Sequence, residues 1–203
     1  MPTNALSYQL KPLQIVASPN NLHYNAPNSN PLISCAFMTQ LSIQLSTNDS
    51  ELQQIEALAE IIWHEHYTPI IGTEQVLYML DKFQSFNAMK QQIEQDGYQY
   101  YSMFEDSKLV GYFAIQSRGS RCFLSKLYVD KQCRGRGFSR QALIFIDEQA
   151  KATGCSHISL TVNKYNSGSI AAYKKMGFEQ IDEVVADIGS GYVMDDYVLE
   201  KTL

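Results

Sequence analysis

The sequence predicts a mixed α/β domain whose sheet contains one parallel strand pair joined through a helix. Three observations carry this reading. Runs such as "LSIQLS" and "HISLTV" alternate apolar and polar residues, the period of a half-buried strand. Runs such as "ELQQIEALAEIIW" and "FSRQALIFIDEQAKA" repeat apolar residues at helical spacing. Between a strand run and the second of these helical runs lies "QCRGRGFSR" (132–140), which packs three arginines and two glycines into a chain of net charge −5.

The elements follow in order. Residues 1–38 contain "ASPNNLHYNAPNSNPL", rich in Pro, Asn and Ser and without a period. They read as an irregular extension ahead of a domain spanning 39–203. Met38, just before the first strand, is a candidate start codon. Leu41, Ile43 and Leu45 mark the first strand. A helix follows through Leu52, Ile55, Leu58, Ala59 and Ile62, with Asp49 or Ser50 expected as its N-cap. "TPIIG" is expected to break it. "TEQVLYMLDKFQS" and "FNAMKQQIEQDG" predict a second helix and a short third piece.

"YQYYSMFED", "KLVGYFAIQ" and "CFLSKLYVD" predict three strands joined by hairpins at Asp106-Ser107 and at "RGS" (118–120). The long helix from Phe138 should end at Gly154 as a C′ glycine. The "HISLTV" strand, a short helix in "SGSIAAYKKMG" and two last strands around Gly189-Ser190-Gly191 complete the chain. The crossover from "LYV" through the long helix to "LTV" makes those two strands parallel.

Composition narrows the function. At 203 residues and 45% hydrophobic, the chain suits one globular domain with an appendage. A pI near 5.3 argues against wholesale nucleic-acid binding, which draws its affinity from neutralising phosphates. No apolar run approaches the roughly 20 residues that span a bilayer, and the N-terminus lacks a signal-peptide pattern. The expected setting is cytoplasmic, without membrane or nucleic-acid partners. Cys35, Cys122, Cys133 and Cys155 are scattered and read as free thiols. His64 and His66 are two apart, so a helix points them in different directions, and no metal site is expected.

The basic glycine stretch can be placed on this frame. It follows a strand and opens a helix, whose N-terminus offers unpaired N–H groups and the positive end of a dipole. Glycine lets the backbone approach a ligand closely and adopt positive φ. The combination describes a phosphate cradle, although GxGxxG and GxxxxGK[ST] are both absent. The competing readings are a solvated Arg/Gly turn or a segment that touches RNA.

"LYVDKQCRGRGFSRQAL" resembles the acetyl-CoA signature of the GNAT superfamily of N-acetyltransferases. Two registers fit, Gln132-x-x-Gly135-x-Gly137 and Arg134-x-x-Gly137-x-Ser139. The eight-residue step from Val129 to Gly137 favours the second, which puts Ser139 where Gly or Ala is usual. "LTVNKYNSGSIAAYKKMGF" is similar to the family's second conserved run, with Asn166 and Tyr173 seven residues apart. The resemblance covers about residues 39–203. It implies a mostly antiparallel mixed sheet whose two central parallel strands splay apart, flanked by helices.

The resemblance also implies that acetyl-CoA is the cosubstrate and that its acetyl group passes to a primary amine by direct attack in a ternary complex. The backbone of Leu127, Tyr128 and Val129 would pair with the pantetheine arm. The diphosphate would sit on Arg134, Gly135, Arg136, Gly137, Phe138, Ser139 and Arg140. Asn166 would cap the short helix and touch the cofactor. Tyr173 would be the acid for the departing thiolate.

For the base, many relatives carry a glutamate near the "LYV" strand, where this chain has Ser125 and Lys126. Glu65 is the candidate, with His64, His66 and Tyr67 as alternatives in the same helix end. Of Asp195 and Asp196 on the last strand, at most one can face the site and attract a cationic amine. The acceptor is expected to be a small-molecule or peptide amine, and a homodimer is left open. The alternative is a catalytically silent acyl-CoA sensor or interaction domain of the same fold.

Overall fold

The computed structural model describes residues 41–203. The expected extension over 1–38 and the candidate start at Met38 lie outside the described residues. β1 (Ser42–Leu45) leads into α1 (Asp49–His66). The N-cap is Asn48, rather than Asp49 or Ser50. Its side chain accepts the Glu51 N–H at 3.0 Å, and the Glu51 carboxylate accepts the Asn48 N–H at 3.3 Å. This reciprocal capping box satisfies two helix-end donors, which a cap at Asp49 would not do.

"TPIIG" stops α1 but does not stop helicity. Pro69 sits in the first turn of a short helix, α2 (Thr68–Ile71), where its missing N–H costs nothing. α3 (Thr73–Met79) continues as a π-helical stretch over Leu80–Gln84. Ser85 then caps α4 (Phe86–Asp96) through the Ala88 N–H at 3.3 Å. Four helices therefore occupy the region expected to hold two and a fragment.

β2 (Gln99–Glu105), β3 (Lys108–Arg118) and β4 (Arg121–Val129) form the expected meander. A 3-10 turn (Lys131–Cys133) leads to α5 (Phe138–Ala152), β5 (His157–Asn163) and α6 (Ser167–Lys175). β6 (Glu179–Gly189) and β7 (Tyr192–Thr202) close the chain. The seven strands run in the order β1-β2-β3-β4-β5-β7-β6. Every neighbouring pair is antiparallel except β4 and β5.

Two irregularities shape the site. β4 and β5 pair only at Arg121↔His157, Cys122↔Ile158 and Phe123↔Ser159, then diverge. In addition, β4 skips a residue against β3: Leu124 opposes Ile115 while Lys126 opposes Ala114, leaving Ser125 as a bulge. One buried cluster lies on the α5 face of the sheet and contains Cys122, Leu124 and Val129. The other lies under α1, α3 and α4 and contains Tyr100, Tyr112 and Ala114, with Tyr128 packed against it. The hairpin of β6 and β7 is tied to the helical face by Gln75 Nε2, which donates to the Val193 carbonyl at 3.1 Å, and by the Tyr78 hydroxyl, which donates to the Ile188 carbonyl at 2.5 Å.

Candidate active site

The divergence of β4 and β5 opens a cavity of about 700 Å³. One wall is the crevice itself, from Leu124 to Val129 and from Leu160 to Asn163, with α6 above it. The other wall is the face of α1 to α4, where Ile62, Trp63, His66, Tyr67, Met79, Phe83 and Gln92 line the space. Beyond Phe123 the β5-facing edge of β4 has no strand partner, so its backbone groups lie available for an extended ligand. The Val129 carbonyl is an exception, since it accepts from Arg134 Nε at 3.0 Å.

The glycine loop lies at the end of this crevice. Asp130 accepts the Gln132 N–H at 3.0 Å and fixes the turn. Gly135 and Gly137 adopt φ of +77° and +83°, the left-handed region that a side chain strains. A Cβ at either position would meet nothing, so each projects towards open space. Gly137 is the N-cap residue of α5 and makes no side-chain cap, which leaves the first-turn N–H groups exposed for an anion. The loop thus fits a diphosphate.

The loop's side chains are not equivalent. Phe138 is buried in the core, so only its backbone is available. Ser139 and Arg134 line the cavity. Arg136 forms a two-pronged ion pair with Glu105 on β2, one contact at 2.7 Å and the other between Nη2 and Oε1. Arg140 is exposed on the first turn of α5.

Across the crevice, Asn166 is 6% exposed and caps α6 through the Ser169 N–H at 3.3 Å. It also lies against the side chains of His66 and Tyr67. Tyr173 lines the cavity, with its ring 5.4 Å from that of Phe178 in an edge-on contact. Burial pushes its phenol above the ordinary range, with the nearby Tyr67 adding to the effect. The same cause raises Tyr67 and Tyr128, whose rings meet edge-on at 6.3 Å. His66 is lowered, first by burial and then by the Arg134 charge.

Glu65 is exposed and is not among the residues lining the cavity; neither is His64. The residues of that helix end that reach it are His66 and Tyr67, because α1 turns successive side chains about 100° apart. On β7, Asp196 lines the cavity and is 5% exposed, whereas Asp195 turns away to an ion pair with Lys164 at 2.6 Å. Burial raises the Asp196 carboxyl.

The sequence also singles out Lys126 only for what it is not, a glutamate. Lys126 is 5% exposed and lines the cavity. Its Nζ donates to the Phe83 carbonyl at 2.8 Å, to Gln92 Oε1 at 2.9 Å and to the Tyr100 hydroxyl. Burial lowers its pKa to about 7.

Comparison with known proteins agrees with this geometry. The model of the acetyltransferase (GNAT) family matches residues 55–178. The chain is 27% identical over 109 residues to the uncharacterized N-acetyltransferase YjgM of Escherichia coli, a match that covers 52% of this chain and 65% of that protein. It is 32% identical over 68 residues to an IAA acetyltransferase of Azospirillum brasilense, covering 34% of this chain and 44% of that one. The chain therefore spans roughly half to two thirds of the length of these relatives. Its fold is similar to that of the PaiA N-acetyltransferase from Thermoplasma acidophilum in complex with coenzyme A, with a TM-score of 0.69 at 20% identity over 81% of this chain and 99% of the other. The ribosomal-protein-S18-alanine N-acetyltransferase of Escherichia coli has a TM-score of 0.61 at 14% identity, over 80% and 94%. With its splayed strands, glycine-capped helix and family match over most of the domain, the chain belongs to the GNAT acetyltransferase family.

Proposed function

We propose that the protein is an N-acetyltransferase that moves the acetyl group of acetyl-CoA directly to an amine held in the same cavity. The observation that carries this reading is the crevice of about 700 Å³ that joins the glycine loop at one end to an aromatic chamber at the other. Acetyl-CoA supplies the acetyl group as a thioester. The open edge of β4 suits its extended arm, and the Gly135–Arg140 backbone suits its diphosphate. Holding both reactants in one cavity removes the entropic cost of their encounter.

Two protons then move. The amine nitrogen forms the new bond to the acetyl carbon and loses a proton, while the carbon–sulfur bond breaks and the sulfur gains one. His66 is suited to take the first. Its lowered pKa keeps the imidazole neutral at pH 7, and the edge-on contact with the Tyr67 ring at 4.7 Å orients it. Tyr173 is suited to stabilise the sulfur, because its raised pKa keeps the phenolic hydrogen in place at all working pH values. Asp196 adds a carboxylate on the same side, the complement of an arriving ammonium.

The test has two stages. Acetyl-CoA should raise the melting temperature, and thiol release corrected for hydrolysis should then appear with at least one member of an amine panel. Stabilisation without turnover on any amine would favour the silent acyl-CoA-binding alternative.

A further inference from the structure

The cavity holds a basic side chain, Lys126, that the transfer chemistry does not use. Lys126 projects to it because Ser125 bulges out of β4. Its ammonium donates three hydrogen bonds, all to neutral oxygens: the Phe83 carbonyl, Gln92 Oε1 and the Tyr100 hydroxyl. The Phe83 carbonyl belongs to the last turn of the π-helical stretch, where carbonyls lack helical partners and the helix end carries partial negative charge. These contacts orient the Nζ group and bring no counter-charge to it. Among the described residues, Lys126 forms no ion pair.

A buried, uncompensated cation is costly, and a protein ordinarily pairs it. Here the cation borders a cavity that a ligand is to fill. We infer that Lys126 is the counter-charge for an anionic group on the acceptor, so that the acceptor is an amine that also bears a carboxylate on an apolar body. The inference rests on the acetyltransferase reading for the position of the amine. One ammonium is a point charge suited to a monoanion, whereas a phosphate dianion calls for more cations or an arginine fork. The surrounding Trp63, Met79 and Phe83 suit an apolar body. The charges are also separated: Asp196 acts on Tyr67, which neighbours Tyr173, and Lys126 is two residues along β4 from Tyr128, about 7 Å of strand. An amino acid entering amine-first would meet opposite charges at both ends.

The other titratable groups facing the cavity are Tyr67, Tyr98, Tyr128, Asp96 and Arg134, with Tyr100 in contact with Lys126 itself. Tyr67, Tyr100 and Tyr128 hold their protons to high pH, and His66 is lowered from the ordinary imidazole value, so it is neutral at pH 8. A carboxylate next to Lys126 raises the pKa of that lysine from about 7, so at pH 8 binding should draw in a proton from solution.

The experiment uses L-leucine, L-phenylalanine and the corresponding β-amino acids, each against its own amide. Calorimetric titration of the CoA-saturated full-length protein at pH 8, in buffers of different ionisation enthalpy, reads both affinity and proton uptake. At least one acid should bind tenfold or more tighter than its amide, with uptake of a large fraction of a proton. Lys126→Met should erase both the preference and the uptake while keeping the acetyl-CoA thermal shift. Equal binding of every acid and amide by the wild-type protein would overturn the assignment without any variant, as would a preference that survives in Lys126→Met. Because binding is read without turnover, an inactive enzyme that still prefers acids would sink the transferase reading and uphold this one.

Discussion

Replacing Lys126 by methionine should change how stability depends on pH. A lysine in the unfolded chain titrates near 10.4, while burial holds Lys126 at about 7 in the folded protein. Between those values the unfolded chain binds a proton that the folded chain does not, so stability rises with pH across the window. Above the upper value both states are neutral and the penalty is gone. Near the lower value and below, the penalty is fully present. The separation corresponds to a ceiling of about 5 kcal/mol, at about 1.4 kcal/mol per pH unit. Integrating from pH 6 to pH 9 recovers about 2.5 kcal/mol of it.

Methionine removes the charge and keeps an unbranched stem. It orphans none of the three acceptors. The Phe83 carbonyl still accepts from Gln92 Nε2 at 3.3 Å, and the Tyr100 hydroxyl still donates to Gln92 Oε1 at 2.6 Å. The variant should therefore be the more stable protein at pH 6. The wild-type value minus the variant value should climb by about 2.5 kcal/mol towards pH 9. In melting temperature that is about 5–10 °C for a domain of this size. Urea unfolding of both proteins at pH 6, 7, 8 and 9 measures it, and groups common to both cancel in the difference. Parallel curves over that range would show that Lys126 is solvated, and the account of its burial would be wrong.

Tyr173→Phe removes one hydroxyl and keeps the ring contact with Phe178, so kcat should fall by ~10²–10⁴ with acetyl-CoA affinity nearly unchanged; a wild-type kcat would remove the acid role. Because the phenol is raised, its ionisation should leave no alkaline limb in the wild-type rate below pH 10. The wild-type rate should instead show an acid limb with a midpoint below 6.5, where His66 takes up its proton, and His66→Gln should abolish that limb. Gly137→Asp places a side chain at φ +83° and a negative charge on the anion cradle. It should cost about 1 kcal/mol of stability and abolish most of the acetyl-CoA thermal shift, which at a hundredfold excess over Kd is about 2.7 kcal/mol in the wild type. A chain starting at Met38 should fold and keep turnover; loss of cofactor binding on that truncation would assign the first 37 residues a part in the domain.

Strand existence and the main helices were legible because each buries one face, and burial imposes a period. Leu52, Ile55, Leu58, Ala59 and Ile62 of α1 are buried, as their spacing requires. The run from Thr68 to Asp96 was harder to read. It turns three times on local chemistry: Pro69 in a first turn, a π-helical widening at Leu80–Gln84, and the Ser85 cap. None of these changes the apolar period enough to be seen. The glycine loop was legible for another reason, since positive φ at Gly135 and Gly137 and an uncapped helix start need particular residues at fixed offsets.

The acceptor wall was not legible, and β4 shows why. By alternation alone, Cys122, Leu124 and Lys126 share one face, which would put a lysine into the core under α5. The bulge at Ser125 reverses the parity. Cys122 and Leu124 stay in that core, Leu127 and Val129 take over its lining, and Lys126 and Tyr128 cross to the face of α1 and α4. A lysine that breaks an apolar alternation is thus itself the trace of the bulge, because a register without one would bury its charge among Phe113, Leu143 and Ile146 with no hydrogen-bond partner. On the opposite face it finds three acceptors and a cavity. The residue that breaks the alternation of β4 is the residue that the bulge turns towards the cavity.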